Sequence, residues 1–301
     1  MNSSLITGTI LDTKRFAVHD GPGVRTAFYL KGCPLNCRWC HNPESISSQT
    51  QIGLFNHNCN NCNECVSICP NNVHKITNNR HHLNRKKCTF CGACEEVCST
   101  RALKIYGHKV TVQEALEIAL EDIDFYHESN GGVTLSGGEP LYQSKFALAL
   151  LEELKKHHIH TALDTCLFVL PQIVKDSLKF TDMYLVDFKH FDSQIHKELT
   201  GQPNELIKEN LKFLSDKKVR IEIRIPLIPN CNNSNENLHH TGAFLSTLNI
   251  ESVKLLPYHS LANTKYLALE MENTLPQVSQ PTPSDMELAK KILASYNLNV
   301  S

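Results

Sequence analysis

Residues 24–42 read VRTAFYLKGCPLNCRWCHN, a stretch that joins an apolar run to a loop carrying three cysteines. The run at 24–30 is rich in β-branched and aromatic residues and ends before Gly32, which predicts a strand. The loop would then lie at the carboxyl end of that strand, where parallel α/β folds carry their active-site loops. The stretch therefore predicts a parallel α/β protein with its chemistry at this loop.

The three cysteines of this loop, Cys33, Cys37 and Cys40, have the spacing CxxxCxxC. Tetranuclear iron–sulfur clusters are usually held by four cysteine thiolates. A compact triplet therefore predicts a 4Fe-4S cluster with one iron left open to a ligand from outside the chain. A zinc loop that lacks one ligand is the alternative, and it would be colourless and free of iron.

Eight further cysteines form two blocks, at 59–69 and 88–98, that share the spacing CxxCxxCxxxC. Bacterial two-cluster ferredoxins have this spacing, and in them the fourth cysteine of each block ligates the other cluster. On this analogy the pattern predicts two 4Fe-4S clusters. One is held by the first set, Cys59, Cys62, Cys65 and Cys98. The other is held by the second set, Cys88, Cys91, Cys94 and Cys69. Paired zinc knuckles are the alternative.

The composition limits the class of protein. The chain has 301 residues, 41% of them hydrophobic, and a formal net charge of −1, which gives no argument for nucleic acid. It shows no apolar run that could cross a bilayer and no charged-then-apolar leader at 1–11, so a cytoplasmic protein is expected. Its cysteines then indicate reduced thiols rather than disulfides. His81 and His82 are interpreted as solvated surface, and Cys166 and Cys231 as core or surface thiols.

The rest of the chain alternates strand and helix patterns. Apolar runs predict further strands at 132–136, 159–164, 182–188, 219–226 and 252–257. Helices are predicted at 111–127, 144–158, 171–178, 203–217, 235–248 and 284–296, with capping boxes at Thr111 and Ser284. Six strand–helix units predict a parallel sheet and are too few for an eight-stranded barrel. We expect a partial (β/α)6 barrel from residues 1–50 and 108–301, with an inserted two-cluster ferredoxin-like domain at 51–107.

Several motifs together resemble one known family. They are HDGPGVRT at 19–26, KGCPLNCRWCHNPES at 31–45, SGGEP at 136–140, VDFKHFD at 186–192, LTG at 199–201 and LLPYH at 255–259. The set resembles the activating enzymes of glycyl radical enzymes, which are radical S-adenosylmethionine (SAM) enzymes, over nearly the whole chain. The resemblance implies that SAM binds the open iron and is cleaved reductively to a 5′-deoxyadenosyl radical. That radical would take hydrogen from a backbone glycine of a partner enzyme.

The resemblance also implies which residues bind SAM. They are Trp39, Cys40, His41, Asn42, Gly137, Gly138, Glu139, Asp187, Phe188, Lys189, Arg224 and His259. A monovalent cation held by Asp164, Thr165 and Asp187 is a further implication. The residues alone leave other interpretations open, since Asp164 fits a helix cap and Arg224 fits a salt bridge with Glu222. An isolated histidine such as His259 is more often structural.

The implied cofactors are SAM, three 4Fe-4S clusters and a monovalent cation. The implied partners are a glycyl radical enzyme with its glycine in a C-terminal loop and a flavodoxin or ferredoxin reductant, and a monomer without nucleic acid or membrane is expected. The insert either relays electrons or forms part of the docking surface, and the sequence leaves both open. Two other functions stay open as alternatives: a radical SAM enzyme acting on a small molecule, and a ferredoxin-like electron carrier, which needs no open iron.

Overall fold

The computed structural model describes residues 5–274 and 276–301 of the chain. Within them the strands are β1 (Thr7–Ala17), β2 (Arg25–Leu30), β3 (Gln51–Leu54), β4 (His74–Thr77), β5 (Arg80–Leu83), β6 (Leu103–Tyr106), β7 (His108–Thr111), β8 (Gly132–Gly137), β9 (His160–Thr165), β10 (Met183–Asp187), β11 (Arg220–Leu227) and β12 (Ser252–Pro257). The α-helices are α1 (Glu64–Ile68), α2 (Ala93–Glu96), α3 (Val112–Leu120), α4 (Ile123–Ser129), α5 (Ser144–Lys156), α6 (Pro171–Ser177), α7 (Ser193–Thr200), α8 (Glu205–Asp216), α9 (Asn235–Leu245), α10 (Asn263–Leu269) and α11 (Pro283–Ala294).

One sheet of eight strands forms the body of the protein, in the order β12-β11-β10-β9-β8-β2-β1-β7. The neighbours from β12 to β2 all pair in parallel. These six strands are the six that the sequence predicts, and each predicted run overlaps its strand. The predicted α/β class with a parallel sheet is therefore confirmed.

The main hydrophobic core explains why the chain folds this way. Strand β8 contributes Val133 and Leu135, both fully buried, and α5 contributes Phe146, Leu150 and Leu154 from one face. These three helix residues recur every four positions, which gives an amphipathic helix one apolar stripe to bury. No helix in the described ranges has the length and apolar character needed to span a membrane.

Two strands of the large sheet were not predicted. Strand β1 pairs antiparallel with β2, with Ile10 opposite Leu30, and β7 pairs antiparallel with β1. The second half of β1 exposes Lys14, Arg15 and Phe16, so its apolar pattern is broken. Tertiary pairing with β2, rather than local pattern, therefore defines this strand.

Two features of the predicted helices differ in the structure. The single helix predicted at 111–127 is broken between α3 and α4 at Asp122, whose carboxylate accepts hydrogen bonds from Thr26 at 2.7 Å and Arg15 at 2.9 Å. The capping box at Thr111 is confirmed, but the box predicted at Ser284 is wrong. Helix α11 is capped instead by Thr282, because Pro283 occupies its first turn.

Residues 51–106 form two small sheets that pair with no strand of the large one among the described residues. Strand β3 pairs antiparallel with β6, and β4 with β5. A small separate core packs the strand residues Ile52, Leu54, Leu103 and Ile105 against cysteines. The predicted division of the chain into two domains stays a prediction that these contacts support.

Candidate active site

A cavity of about 670 Å³ opens at the carboxyl ends of the parallel strands. The loop after β2 and the turn after β8 line one part of it, and the ends of β9 to β12 line the rest. Fourteen predicted site residues line it, namely Cys33, Cys37, Trp39, Cys40, His41, Asn42, Gly137, Gly138, Asp164, Thr165, Asp187, Lys189, Arg224 and His259. The structure thus brings these residues to one cavity, and what they bind there stays a prediction.

The cysteine loop, residues 32–42, is held by main-chain hydrogen bonds at its start and in its middle. The N–H of Cys33 donates to the carbonyl of Ile46 at 3.0 Å, and that of Asn36 donates to the carbonyl of Thr200 at 2.7 Å. Trp39 is buried and packs against Leu199 from α7. Hydrogen bonds and packing to neighbouring segments therefore hold the loop that carries the three thiols.

The chemistry of these thiols fits a bound metal cluster. Burial raises the pKa of Cys37 and of Cys40 to about 12, so neither thiol ionises readily without a cation beside it. A metal ion supplies that charge, because a coordinating thiol is deprotonated outright. The three thiols line a cavity with room beside them for a further ligand, as the predicted open cluster requires.

A fourth thiol also lines this cavity. Cys166, at the end of β9, is buried, and its thiol makes a hydrogen bond with Cys33 that lowers the pKa of the Cys33 thiol against the opposing effect of burial. The sequence interpretation of Cys166 as a core or surface thiol is correct about its burial. It missed the contact with the cysteine loop, because that contact joins residues far apart in the chain.

Two cationic side chains face the cavity. Lys189 donates to the carboxylate of Asp187 at 2.6 Å, and although burial works against it, this carboxylate raises the pKa of Lys189 above its ordinary value. Arg224 donates to Glu222 at 3.0 Å and lies 3.7 Å from Asp164. The predicted salt bridge of Arg224 with Glu222 is thus present, and because Arg224 also lines the cavity, its contact with SAM stays a prediction.

Two histidines form part of the wall. The rings of His41 and His259 stack with 3.9 Å between centroids, and Nε2 of His41 lies 2.7 Å from the carbonyl oxygen of His259. Nδ1 of His259 is buried without a hydrogen-bond partner in the described part of the chain. Lys265 from α10 holds the loop below them by donating to the carbonyl of His41 and to Asn42, both at 3.0 Å.

The turn after β8 packs tightly against the cysteine loop. A Cβ on Gly138 would lie 2.4 Å from the carbonyl oxygen of Gly32, so only glycine fits there. Glu139 and Phe188, both predicted to bind SAM, do not line the cavity. Glu139 is fully buried beneath it, and Phe188 stacks on Phe244 in the main core. Their predicted contact with SAM is supported by no contact in the structure.

The residues predicted to hold a monovalent cation already have partners. Asp164 accepts a hydrogen bond from Ser136 at 2.7 Å, and the Thr165 hydroxyl donates to Glu139 at 2.8 Å. Burial raises the pKa of Asp164 to about 6, an effect that Arg224 partly opposes. The cation therefore stays a prediction. The oxygen atoms of Asp164 and Thr165 would have to bind it while they keep these hydrogen bonds.

The other eight cysteines line two small cavities outside the large sheet. One cavity is lined by the first set, Cys59, Cys62, Cys65 and Cys98, and the other by the second set, Cys69, Cys88, Cys91 and Cys94. Both groups are those predicted from the ferredoxin spacing, including the exchange of the fourth cysteine. All thirteen cysteines of the chain are free thiols in this structure.

The interpretation of both histidines between the blocks as solvated surface is wrong for one of them. His82 is exposed, but His81 is only 2% exposed and lines the cavity of the first set. The two residues are adjacent on β5, where successive side chains point to opposite faces. Period-two alternation was the signal that could have separated them.

Sequence reasoning also missed five polar residues of the large cavity: Asp20, Tyr29, Ser45, Ser136 and Tyr258. The Tyr29 hydroxyl donates to Asp20 at 3.3 Å. Asp20 and Ser136 belong to motifs that carry the family resemblance, HDGPGVRT and SGGEP, so their presence in those motifs was the available signal.

Comparison with known proteins supports the fold and shows the family. The family model described as the radical SAM superfamily matches residues 84–241, more than half of the chain, and the model of the 4Fe-4S dicluster domain matches residues 58–103. A crystal structure of Streptococcus suis SuiB bound to its precursor peptide SuiA has a TM-score of 0.50 at 17% identity, covering 64% of this chain and 42% of that one. At that identity the likeness concerns the fold alone.

Two curated relatives are similar over most of their length. The choline trimethylamine-lyase activating enzyme of Oleidesulfovibrio alaskensis is 38% identical, over 97% of this chain and 96% of the relative. The (2S)-3-sulfopropanediol dehydratase activating enzyme of Klebsiella oxytoca is 39% identical, over 87% of this chain and 85% of the relative.

The parallel sheet, the cysteine loop at its carboxyl edge and the superfamily match together define a radical SAM fold. The chain belongs to the glycyl radical enzyme activating enzymes of the radical SAM superfamily. The predicted family and function are therefore confirmed, including the use of SAM and a 4Fe-4S cluster. The residues that bind each cofactor, and the number of clusters, remain predictions.

Proposed function

We propose that Cys33, Cys37 and Cys40 hold the cluster at which SAM is cleaved, and that the cavity beside them binds SAM. One observation carries the proposal: these three thiols line the same cavity as the cations Lys189 and Arg224. A cavity of about 670 Å³ is in the range that encloses a small organic ligand.

The wall of the cavity offers a partner for each part of SAM. Lys189 and Arg224 are charged donors suited to the carboxylate. The glycines of the β8 turn leave main-chain groups accessible to the amino group. The stacked rings of His41 and His259, with Tyr258 next to His41, offer flat faces to the adenine.

The chain itself binds, orients and shields the reactants. When bound, the reduced cluster supplies one electron and SAM supplies the 5′-deoxyadenosyl group that becomes the radical. The anchored cysteine loop fixes the position of its thiols and so the direction from which SAM would approach the cluster. Holding the reactants in one geometry lowers the entropic cost of bringing them together. Trp39 and Tyr258, both buried, exclude water from the cysteine side of the cavity.

We further propose the complete architecture predicted from the sequence: a partial (β/α)6 barrel with a ferredoxin-like insert at 51–107 that holds two more 4Fe-4S clusters. The separate sheets and core of the insert and the two cysteine-lined cavities support this. Fewer than about nine iron atoms per chain after anaerobic reconstitution would contradict three clusters.

The partner is a glycyl radical enzyme, and its identity is a question for experiment. Relatives of similar identity are named as activating enzymes of a lyase, a dehydratase and a decarboxylase, so similarity does not select one partner. We propose a flavodoxin or ferredoxin as reductant and a cytoplasmic monomer as the working form.

The direct test incubates the reduced, reconstituted protein with SAM and candidate partner enzymes under anaerobic conditions. We expect a glycyl radical doublet in the electron paramagnetic resonance (EPR) spectrum with the correct partner. Release of 5′-deoxyadenosine with a small molecule and no partner protein would support the alternative class of radical SAM enzyme.

Substitutions separate the two kinds of cysteine. Cys37→Ala is expected to abolish SAM cleavage, because it removes a ligand of the open cluster. The matched variants Cys59→Ala and Cys88→Ala keep the cysteine loop intact and are expected to retain partial cleavage with an artificial reductant. Full cleavage by Cys37→Ala would refute the assignment of the reaction centre.

A further inference from the structure

A pair of buried histidines lies between the two small cavities. His81 lines the cavity of the first set, and His74 lines the cavity of the second set. Nδ1 of His74 and Nε2 of His81 are 3.0 Å apart, a hydrogen-bond distance. His74 and His81 are 5% and 2% exposed, so solvent does not compete for this contact.

The sequence places both rings on the inner face of a short hairpin. In the β4–β5 register, His74 is opposite Leu83 and His81 is opposite Ile76. The neighbours Lys75 and His82 are exposed, as the alternation of a strand requires. The pair is therefore a feature of the buried face of this hairpin, and not a chance contact at the surface.

The geometry fixes which ring donates to sulfur. Nδ1 of His81 lies 3.6 Å from Sγ of Cys59, and Nε2 of His81 lies 3.8 Å from Sγ of Cys65. A cysteine that ligates a cluster is a thiolate, which accepts hydrogen bonds and donates none. Nδ1 is the ring nitrogen of His81 that lies nearer to a sulfur, and a proton there faces Cys59 and leaves Nε2 free to accept a hydrogen bond from His74.

The pair therefore offers an N–H to only one of the two sites. With its proton on Nδ1, neutral His81 has a bare Nε2, which accepts the hydrogen bond from Nδ1–H of His74. Nε2 of neutral His74 is then bare as well, and it is a buried atom without a partner in the described part of the chain. The pair directs an N–H at the first set and only a lone pair toward the second.

We propose that the His74–His81 pair makes the cluster of the first set the easier of the two insert clusters to reduce. The proposal rests on the proposed function, because it takes both sets to hold 4Fe-4S clusters. Hydrogen bonds to the sulfurs are one of the factors that set the reduction potential of a cluster, because they stabilise the added negative charge. Reduction adds one electron from the reductant, and the proton stays on His81. His81 is thus a positioning residue that acts through Cys59.

The test is a potentiometric titration followed by EPR on the full-length reconstituted protein. In His81→Leu, we expect the reduced-to-oxidised ratio of the higher-potential insert cluster to fall about tenfold at a fixed potential, which is about 59 mV for a one-electron couple. The signal that changes when SAM is added should not shift. His82→Leu, on the exposed face of the same strand, is the matched control and should leave every potential unchanged.

Two further variants and a label make the result specific. His81→Gln keeps an N–H donor and should restore part of the potential, and His74→Leu should produce a smaller fall in the same cluster. With ¹⁵N-histidine, the reduced higher-potential cluster should show a nitrogen coupling that His81→Leu loses. If His81→Leu incorporates little iron, His81→Gln and His74→Leu provide the same comparison of reduction potentials.

The outcomes separate this inference from the function beneath it. Full iron content with unchanged potentials in His81→Leu, or a shift confined to the cluster without the nitrogen coupling, would overturn the inference alone. Zinc in place of iron in the insert would overturn the cluster proposal as well. Cys65, His74 and His81 have ligand atoms close enough together to hold such an ion, so metal analysis belongs in the same experiment.

Discussion

At the scale of single residues, Glu139 shows how the site depends on a group that does not line it. Its carboxylate accepts hydrogen bonds from the Thr165 hydroxyl, from the N–H of Cys166 at 2.8 Å and from the N–H of Leu141 at 3.0 Å. Burial raises the pKa of Glu139, and these hydrogen bonds oppose the rise. The residue ties the turn after β8 to the end of β9.

We predict that Glu139→Gln lowers the free energy of unfolding by about 1–3 kcal/mol, because the amide must turn an NH₂ toward an N–H donor. Thermal or urea unfolding of the reconstituted protein measures this. Glu117→Gln, on an exposed helix face, is the control and should change stability by less than about 0.5 kcal/mol. Unchanged stability with lost SAM cleavage would instead indicate that Glu139 contacts SAM directly.

The sequence predicts some residue roles well, for a physical reason. Cluster ligands come from a short stretch with fixed spacing, so the spacing and the analogy with two-cluster ferredoxins together divide the eight cysteines from Cys59 to Cys98 into the two observed groups. Cys166 could not be placed in this way. Its contact with Cys33 joins the end of β9 to the loop after β2, and only the folded sheet brings these together.

At the scale of elements, the turn after β8 and the cysteine loop form one packed unit. The N–H of Gly138 donates to the carbonyl of Leu30 at 2.9 Å, and that of Glu139 donates to the carbonyl of Gly32 at 2.8 Å. These bonds extend the parallel pairing of β2 with β8 past the strand ends to Gly32, the residue before the first cysteine. The turn therefore fixes the start of the cysteine loop.

Gly138→Ala should therefore displace the cysteine loop, because its new Cβ would meet the Gly32 carbonyl oxygen at 2.4 Å. We expect iron content to fall by about a third, with SAM cleavage lost and the two insert clusters retained. Gly242→Ala in α9 is the control, since its Cβ would also be crowded, at 2.5 Å, but by the Tyr296 side chain and not by any part of the cysteine loop. Full iron content in Gly138→Ala would contradict this coupling of turn and loop.

The sequence predicted the strands and helices that have a long, regular pattern of apolar residues. It did not predict those whose formation depends on tertiary contacts. The six parallel strands and the amphipathic helix α5 have such patterns. The short helices α7 and α10 were not predicted, although α7 carries Leu199 against Trp39 and α10 carries Lys265 against the cysteine loop. Helices of two turns are too short for periodicity to identify, and tertiary packing stabilises them.

At the scale of the whole molecule, the insert joins the rest of the chain at two paired strands, β3 and β6. Gln51 pairs with Tyr106 and Leu54 pairs with Leu103, so the insert leaves and returns at adjacent positions. Arg85 supplies a further contact by donating to the carbonyl of Ala268 at 2.8 Å and pairing with Glu270. The two cysteine blocks predicted that an insert exists. No sequence pattern predicted that Arg85 of the insert would contact α10.

These connections predict that the insert can be removed. Replacing residues 55–102 by Asn-Gly would join β3 and β6 in a two-residue hairpin, the turn that this dipeptide favours. Removal uncovers the apolar face of the pair, so Ile52, Leu54, Leu103 and Ile105 would be changed to Thr, which retains strand preference. Loss of the Arg85 ion pair should cost at most about 1 kcal/mol, because its partner Glu270 is largely exposed.

The shortened protein should fold, bind about four iron atoms and cleave SAM with an artificial reductant, because every residue lining the large cavity lies outside 55–102. Its response to a protein reductant and to the partner enzyme then separates the two roles left open for the insert. Activation that fails with flavodoxin or ferredoxin but persists with dithionite indicates an electron relay, whereas failure with both reductants despite SAM cleavage indicates a docking surface. A shortened protein that cannot bind iron at Cys33, Cys37 and Cys40 would refute the separation into two domains.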